Sequence, residues 1–417
     1  MSVNKKIAVP ALLFALGATG AAHAQDEKSV KVVHWWTSGG EAAALKILKD
    51  DVAKRGFAWK DSAIGGGGGE PTPAKLRASA SPGNSPDAMQ LLGFAISDYA
   101  AEGLLGNVDL VASKEGWDKV VPLPLQKFSK YKGKWVAAPV NIHRTNWIWA
   151  NKAIFDELKL KVPTTFDELV AHADKIRKAG YIPLAHGGQP WQEAIIFDSA
   201  VMSAGGPTFY KQALVDLDPV ALGSKTMENA FSQMKKLRTM VDPNFPNRNW
   251  NLATSMVYHK KAAMQIMGDW AKGEFAKGHM KPNVDYLCSQ YPGTDGTFIF
   301  SSDQFALVKA SDKRMAGQSD FASAVMDKGF QEKFNIAKGS VPARTDVSME
   351  GFDHCGKKSM ADLKQAMKAG SMVSGSSSSM RIPVQGAVTG VVSKFHNSNI
   401  SPAEATKLLL AAVNNSK

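Results

Sequence analysis

Cysteine is nearly absent from these 417 residues. The two present, Cys288 and Cys355, have no further Cys or His at a spacing that completes a ligand set, which excludes a cysteine-built metal site. An even pair in an oxidising compartment points instead to one disulfide in preference to two free thiols. Long apolar runs are missing as well: beyond residue 24 no segment approaches about 18 uninterrupted apolar residues, so no helical membrane span is expected there. Basic blocks are missing although basic residues are not. Lys and Arg total 50 against 38 Asp and Glu, a formal charge of +12. They are scattered over helical faces, as in Lys175-Ile176-Arg177-Lys178, with no nucleic-acid recognition motif, so the charge reads as a solvated surface and nucleic acid is not an expected partner. The glycine run Gly65 to Gly69 lacks the Gly-Lys-Ser/Thr ending of a phosphate loop and reads as a flexible connection. No spacing fixes two carboxylates at the separation a glycosidase needs. No catalytic residue, metal ligand or cofactor is therefore assigned, and a glycosidase using Glu41 with Asp269 or Asp303 stands as the enzymatic alternative.

The chain opens with Lys5-Lys6, the apolar run Ile7 to Ala18 and the small-x-small signal Ala22-His23-Ala24. Residues 1–24 read as a secretory signal peptide, which leaves a mature chain near Gln25 and a bacterial periplasm as the simplest compartment. Roughly 390 residues remain, enough for two domains of ordinary size.

The stretch Val30 to Val52 is the one around which the rest of the chain is organised. A β-branched run, Val30 to Val33, ends in Trp35-Trp36, Thr37 to Gly40 turn, and Ala44, Leu45, Leu48 and Val52 recur at helical spacing. Ser38 and Glu41 form a capping-box pair. In open α/β sheets ligands settle beyond the carboxyl ends of strands, where this unit places two indoles and a carboxylate. Neighbouring strand side chains alternate, so one Trp reads as core and the other as ligand platform. Glu41 serves as cap, ligand acceptor or both. The segment Pro86 to Gln90 reads as a strand carrying Gln90 to the same rim, with a helix at Ser97 to Gly103. The device recurs in the second half: a buried run, Lys260 to Met267, ends in Gly268-Asp269-Trp270 before a helix at Ala271 to Lys277. Asn247 to Asn251 interrupts the helices with amides around Trp250. Ser301 to Gln304 and Lys338 to Arg344 read as crossings between halves, Ser374 to Ser379 as a loop and Pro402 to Val413 as a helix.

A pyranose has a face of C–H groups and a rim of hydroxyls that donate and accept. Binding it calls for aromatic plates and for planar polar groups at the edge. Trp35, Trp36, Trp250 and Trp270 supply plates; Glu41, Gln90, His143, Asp303 and Lys338 supply rim partners. A core indole and a satisfied histidine remain the alternative readings of Trp250 and His143.

The WWTSGGE stretch, Pro86 to Gln90, Ala138 to Arg144, His186 to Trp191, Met267 to Trp270, Tyr291 to Thr294 and Lys338 to Pro342 together resemble the extracellular sugar-binding proteins of ABC importers, within them the periplasmic glucose-binding proteins. The resemblance implies an α/β, two-lobed periplasmic binding protein fold of type II. Each lobe would be a central sheet flanked by helices, joined by a multi-strand hinge. It implies 25–138 with 300–338 as the N-terminal lobe and 139–299 with 339–417 as the C-terminal lobe. It further implies a monomer that closes on one sugar, with permease subunits and their ATPase as partners. The chain departs from the glucose receptors in two places. Leu91-Leu92-Gly93-Phe94 follows Gln90 where the family offers a basic or polar contact, and Ser376 to Met380 replaces a C-terminal His. Glucose or a related hexose is the expected ligand; a disaccharide or a sugar acid is the alternative.

Overall fold

The computed structural model describes residues 29–65 and 85–417. The signal-peptide segment, Gly66 to Gly69 and the start of the loop at Ser79 to Ser85 lie outside the described residues.

Alternating β-branched residues make β1 (Ser29–His34) a buried strand. It pairs in parallel with β2 (Ala58–Ala63) and β3 (Ala88–Leu91). A hairpin of β4 (Lys130–Tyr131) and β5 (Lys134–Trp135) precedes β6 (Ala137–Pro139). The first sheet runs β2-β1-β3-β13-β6, where β13 (Gln304–Leu307) lies antiparallel to both neighbours. Helices Gly39–Lys54, Asp312–Met326 and Lys328–Lys338 pack in one cluster on one of its faces, and Ile96 and Tyr99 of helix Gly93–Ala101 pack on the other. A second sheet runs β11-β8-β10-β9, built from β8 (Trp147–Asn151), β9 (Ile182–Ala185), β10 (Ala262–Ile266) and β11 (Tyr286–Gln290). A third runs β14-β7-β12-β15, from β7 (Asn141–Arg144), β12 (Phe298–Ser301), β14 (Val341–Pro342) and β15 (Met372–Ser374).

The chain passes between the first and third sheets at Val140 and at Ser302-Asp303, and again from helix Lys328–Lys338 into β14. These crossings are bonded to one another. The Ser302 hydroxyl donates to the Asn141 carbonyl at 2.7 Å, and the Val140 amide donates to the Asp303 carbonyl at 2.9 Å. The Asn335 side-chain amide donates to the Val140 carbonyl at 3.2 Å, and the Ser340 hydroxyl donates to Asn335 Oδ1 at 2.6 Å. Gly339, at φ 97°, ends the helix in the left-handed region, which glycine alone enters without steric cost.

Several local readings are corrected. The helix read at Ser97 to Gly103 spans Gly93–Ala101; its N-cap is Leu92, with no side-chain cap bond, so the usual start signal is absent. The Ser-rich stretch is not all loop: Ser374 ends β15, which pairs in parallel with β12, and Ser376–Ser379 is a short helix. There tertiary pairing overrides weak propensity. Trp250 does not interrupt but opens helix Trp250–Tyr258. None of the described helices is long and apolar enough to cross a membrane.

Cys288, on β11, and Cys355, at the start of helix His354–Ala369, are joined in a disulfide across a separation of 67 residues. Closing such a loop restricts the unfolded chain by about 4 kcal/mol on chain entropy alone, less where the unfolded loop keeps structure. Reduction, or Cys355→Ser, is expected to lower the unfolding free energy by about 2–4 kcal/mol in urea titrations. Identical midpoints for oxidised and reduced protein would refute this.

Candidate functional site

One cavity of about 450 Å³ opens where the carboxyl ends of β1 and β10 approach each other. Trp35, Trp36, Trp250 and Trp270 all line it, together with Glu41, His143, Asp303 and Lys338. Eight of the nine residues read from the sequence as sugar contacts thus share one wall system.

Trp36 is 2 % exposed, because its ring also packs on Phe305 and Phe334 at centroid distances of 5.5 and 5.1 Å. It is core on one face and cavity wall on the other, and Trp35 is buried beside it. Trp270 is half-buried, with its ring 5.0 Å from His143 and 6.2 Å from Trp191, which also lines the cavity. Lys338 Nζ stands 5.9 Å from the ring centroids of both Trp36 and Trp270, so indoles from the two halves flank a single cation.

Glu41 is the helix cap its spacing implies, and its other oxygen meets Lys338 at the cavity. Its Oε2 accepts from the Thr37 and Ser38 amides at 3.1 Å each, closing the capping box, and its Oε1 accepts from Lys338 Nζ at 3.3 Å. Gln90 is the exception. It lies fully buried behind the wall, its Oε1 accepting from the Trp35 amide at 3.0 Å and its Nε2 donating to Asp303 Oδ1 at 2.8 Å. A strand presents alternate residues to opposite faces, and Gln90 sits on the inner one. It positions Trp35 and Asp303 and does not reach the cavity.

Asp303 collects three donors: Gln90, the Asn141 side-chain amide at 2.9 Å and His143 Nε2 at 2.9 Å. Burial alone would raise its carboxyl. His143, Lys338 and Asn141 outweigh that and hold it well below the usual carboxylate range. His143 is bonded on its other nitrogen to Asp269, whose second oxygen accepts from the Arg144 amide at 2.9 Å. Burial disfavours the charged ring, but the flanking Asp269 and Asp303 prevail and raise its pKa. Asp269, His143, Asp303 and Lys338 therefore alternate acid with base in a buried row, of which His143, Asp303 and Lys338 line the cavity.

Asp198 is a wall residue that reading the sequence alone misses. Trp191, Ala194, Ile195 and Asp198 line the cavity at helical spacing on Pro190–Leu214, and a lone acid on that apolar face is the signal the sequence carries. Its Oδ2 accepts from the Ser376 amide at 2.9 Å, whereas its buried Oδ1 has no hydrogen-bond partner among the described residues. Burial pushes its carboxyl up to about 6, the Ser376 amide pulling it part of the way back. A folded acid that keeps its proton longer than the unfolded chain stabilises at low pH. That contribution is complete below about pH 4 and is lost as pH rises through about 6. In urea titrations without ligand, Asp198→Asn is expected to gain on the wild type by roughly 2–3 kcal/mol between pH 4 and pH 7. A difference independent of pH would refute the assignment.

The two departures from the glucose receptors also meet the cavity. Leu91 and Leu92 line it where a basic contact was expected, and Ser376 and Ser377 line it where a histidine was expected. Ile382, Gly386 and Gly390, on helix Ile382–His396, extend this apolar end.

Residues 25–325 match the bacterial extracellular solute-binding protein family. The chain belongs to that family. A protein of Brucella suis described as a probable sugar-binding periplasmic protein is 52 % identical over 403 residues, covering 96 % of each chain. Among solved structures, a chitin oligosaccharide binding protein superposes with a TM-score of 0.80 at 16 % identity, over 93 % of this chain and 98 % of that one. The bacterial solute receptor AcbH, described as exclusive for β-D-galactopyranose, superposes at 0.76 with 15 % identity, over 93 % and 98 %. These likenesses establish the two-lobed type II binding-protein fold.

Proposed function

We propose that this family member is a periplasmic receptor that captures one monosaccharide, glucose or a related hexose, by lobe closure and delivers it to an ABC importer. The observation that carries this reading is the meeting of four indoles from both halves with fixed acceptors and a lysine around one cavity. Aromatic faces suit the C–H side of a pyranose and the Glu41, His143, Asp303 and Lys338 edge suits its hydroxyls. A volume of about 450 Å³ falls in the lower part of the range for small-molecule sites, in keeping with one or two rings. The same fold serves an oligosaccharide binder and a galactopyranose receptor, so size comes from this cavity and not from the fold.

We further assign 25–138 with 300–338 to one lobe and 139–299 with 339–417 to the other. In support, the strands of the first sheet fall in the first set, save for Pro139 at the end of β6, and every strand of the second sheet falls in the second. A sugar acid is disfavoured: Lys338 is already paired with Glu41, and Asp303 and Asp198 add negative charge that would repel a ligand carboxylate. A glycosidase is disfavoured too, since Glu41 and Asp303 are committed as acceptors to backbone amides, Lys338, Gln90, Asn141 and His143. Steady turnover of aryl glycosides would revive it.

Closure follows if ligand contacts on both lobes give the closed form its differential affinity. One set of contacts between the two halves would act as a latch for that form. Glu274 Oε1 accepts from the Ser38 hydroxyl and the Gly40 amide, both at 2.7 Å, joining the start of helix Gly39–Lys54 to helix Ala271–Lys277. A Cβ on Gly40 would lie 2.6 Å from the Gly273 carbonyl carbon, so the approach requires glycine. A thermal-shift screen of hexoses, pentoses, disaccharides and uronic acids tests the reading. The true ligand at a hundred times its Kd adds about 2.7 kcal/mol of stability and compacts the protein in small-angle scattering. No sugar shifting Tm at millimolar concentration would overturn it.

A further inference from the structure

Behind the cavity wall lies a second polar cluster that sugar binding does not use. His186 follows the end of β9, Glu193 lies in the first turn of helix Pro190–Leu214, and His396 ends helix Ile382–His396. All three are buried, and their ligand atoms lie within 4.8 Å of one another. Neither nitrogen of the His396 ring has a hydrogen-bond partner among the described residues, and neither has Nε2 of His186. Leaving such donors and acceptors unmet in an interior costs about 1–3 kcal/mol each, so the cluster calls for an occupant.

We propose that His186, Glu193 and His396 form a binding site for a borderline divalent cation of the zinc type, separate from the sugar cavity. Two imidazoles and a carboxylate are a donor set that zinc takes, with a water completing four-coordination. Bonds of about 2.0–2.1 Å place tetrahedral ligands about 3.4 Å apart, so the side chains have to draw in by about 1 Å. The surroundings fix the ligands. The Asn397 side chain donates to Glu193 Oε1 at 2.7 Å, turning the carboxylate in the manner of an outer-shell partner. Phe245 closes one side, its ring 5.8 Å from His186 and 5.7 Å from His396. Arg248 donates to the His186 carbonyl at 3.0 Å, and the Arg238 guanidinium carbon lies 4.3 Å from the centroid of the Phe245 ring. Those arginines oppose a cation as well, which calls for the charge of Glu193 in the set and selects a strongly coordinating ion over sodium, magnesium or calcium.

The position gives the site a consequence. Helix Pro190–Leu214 supplies Trp191 and Asp198 to the sugar cavity, and helix Ile382–His396 supplies Ile382 and Gly386. A bound ion would tie the start of the first helix to the end of the second and hold that wall rigid.

The test uses the tag-free mature chain, stripped with EDTA and titrated with zinc, then with cobalt as a spectroscopic probe. The expected result is one zinc per chain, a rise of several degrees in Tm, and cobalt d–d absorption, all lost in Glu193→Gln and in His396→Gln. Uptake equal in the wild type and the variants would place the ion on surface histidines and overturn the proposal. So would the absence of zinc uptake by the wild type at micromolar concentration. Should His396→Gln fail to fold, Glu193→Gln and the wild-type cobalt spectrum still decide. Neither residue lines the sugar cavity, so a null result here leaves the receptor reading untouched.

Discussion

Trp270→Ala is expected to lower sugar affinity by roughly 30- to 1000-fold, the range of a central aromatic contact, while moving the folding midpoint little. The ring is half-buried, lines the cavity and meets the rings of His143 and Trp191, so in the ligand-free protein it gives up modest packing on truncation. With sugar bound it would cover one C–H face, and alanine would leave that face against a water-filled gap. Trp36 makes the internal control. Its ring wedges between Phe305 and Phe334 and is 2 % exposed. Trp36→Ala should therefore lose about 3–5 kcal/mol of folding stability alongside affinity. Calorimetric titration with the sugar found in the screen, paired with urea unfolding, separates the two variants. A Trp270→Ala protein that loses more in stability than in affinity would show the ring to be core.

The parts of the site that could be read from the sequence were those whose signal is local. Ser38 and Glu41 stand three apart and cap helix Gly39–Lys54 as their spacing demands. The two junctions where an apolar strand runs into indole and acid, at Trp36 and at Trp270, are also local, and they reach one cavity from opposite halves. What escaped depends on which face a residue takes in three dimensions. Gln90 stands next to the end of β3, as a rim residue would, but its side chain is bonded to Asp303 and does not reach the cavity. Asp198 hides in the apolar run Ile195 to Val201, where its partner Ser376 lies 178 positions away. His143 could be named as a rim partner, but its place between Asp269 and Asp303 comes from residues 126 and 160 positions distant. Separations of that size carry no periodicity that a single sequence can reveal.

Asp303→Asn should do the greatest damage to folding and binding together. The carboxylate receives donors from Gln90, Asn141 and His143, and its own amide donates to Asn141 Oδ1 at 2.9 Å. An amide of the same shape turns one acceptor into a donor that faces those donors, and it strips a buried partner from a histidine whose charge this carboxylate supports. Removing one member of a buried charged pair costs about 3–5 kcal/mol, because the other is left uncompensated. The pH dependence distinguishes this cause from generic misfit. A carboxyl held below its unfolded value stabilises the fold above about pH 4, and this is lost as pH falls through the lower folded value. The deficit of the variant should therefore be full at pH 7, where Asp303 is ionised in both states, and should shrink steadily below about pH 4. His143 bends the curve at the other end. Its raised pKa contributes stability that is whole below about pH 6.5 and declines as pH climbs through the folded value, and losing Asp303 weakens that contribution. Urea midpoints from pH 3 to pH 9 would trace both limbs. Parallel curves for wild type and Asp303→Asn would mean that the loss comes from shape, and the hinge would then owe its geometry to packing and not to the charge row that runs beside the cavity.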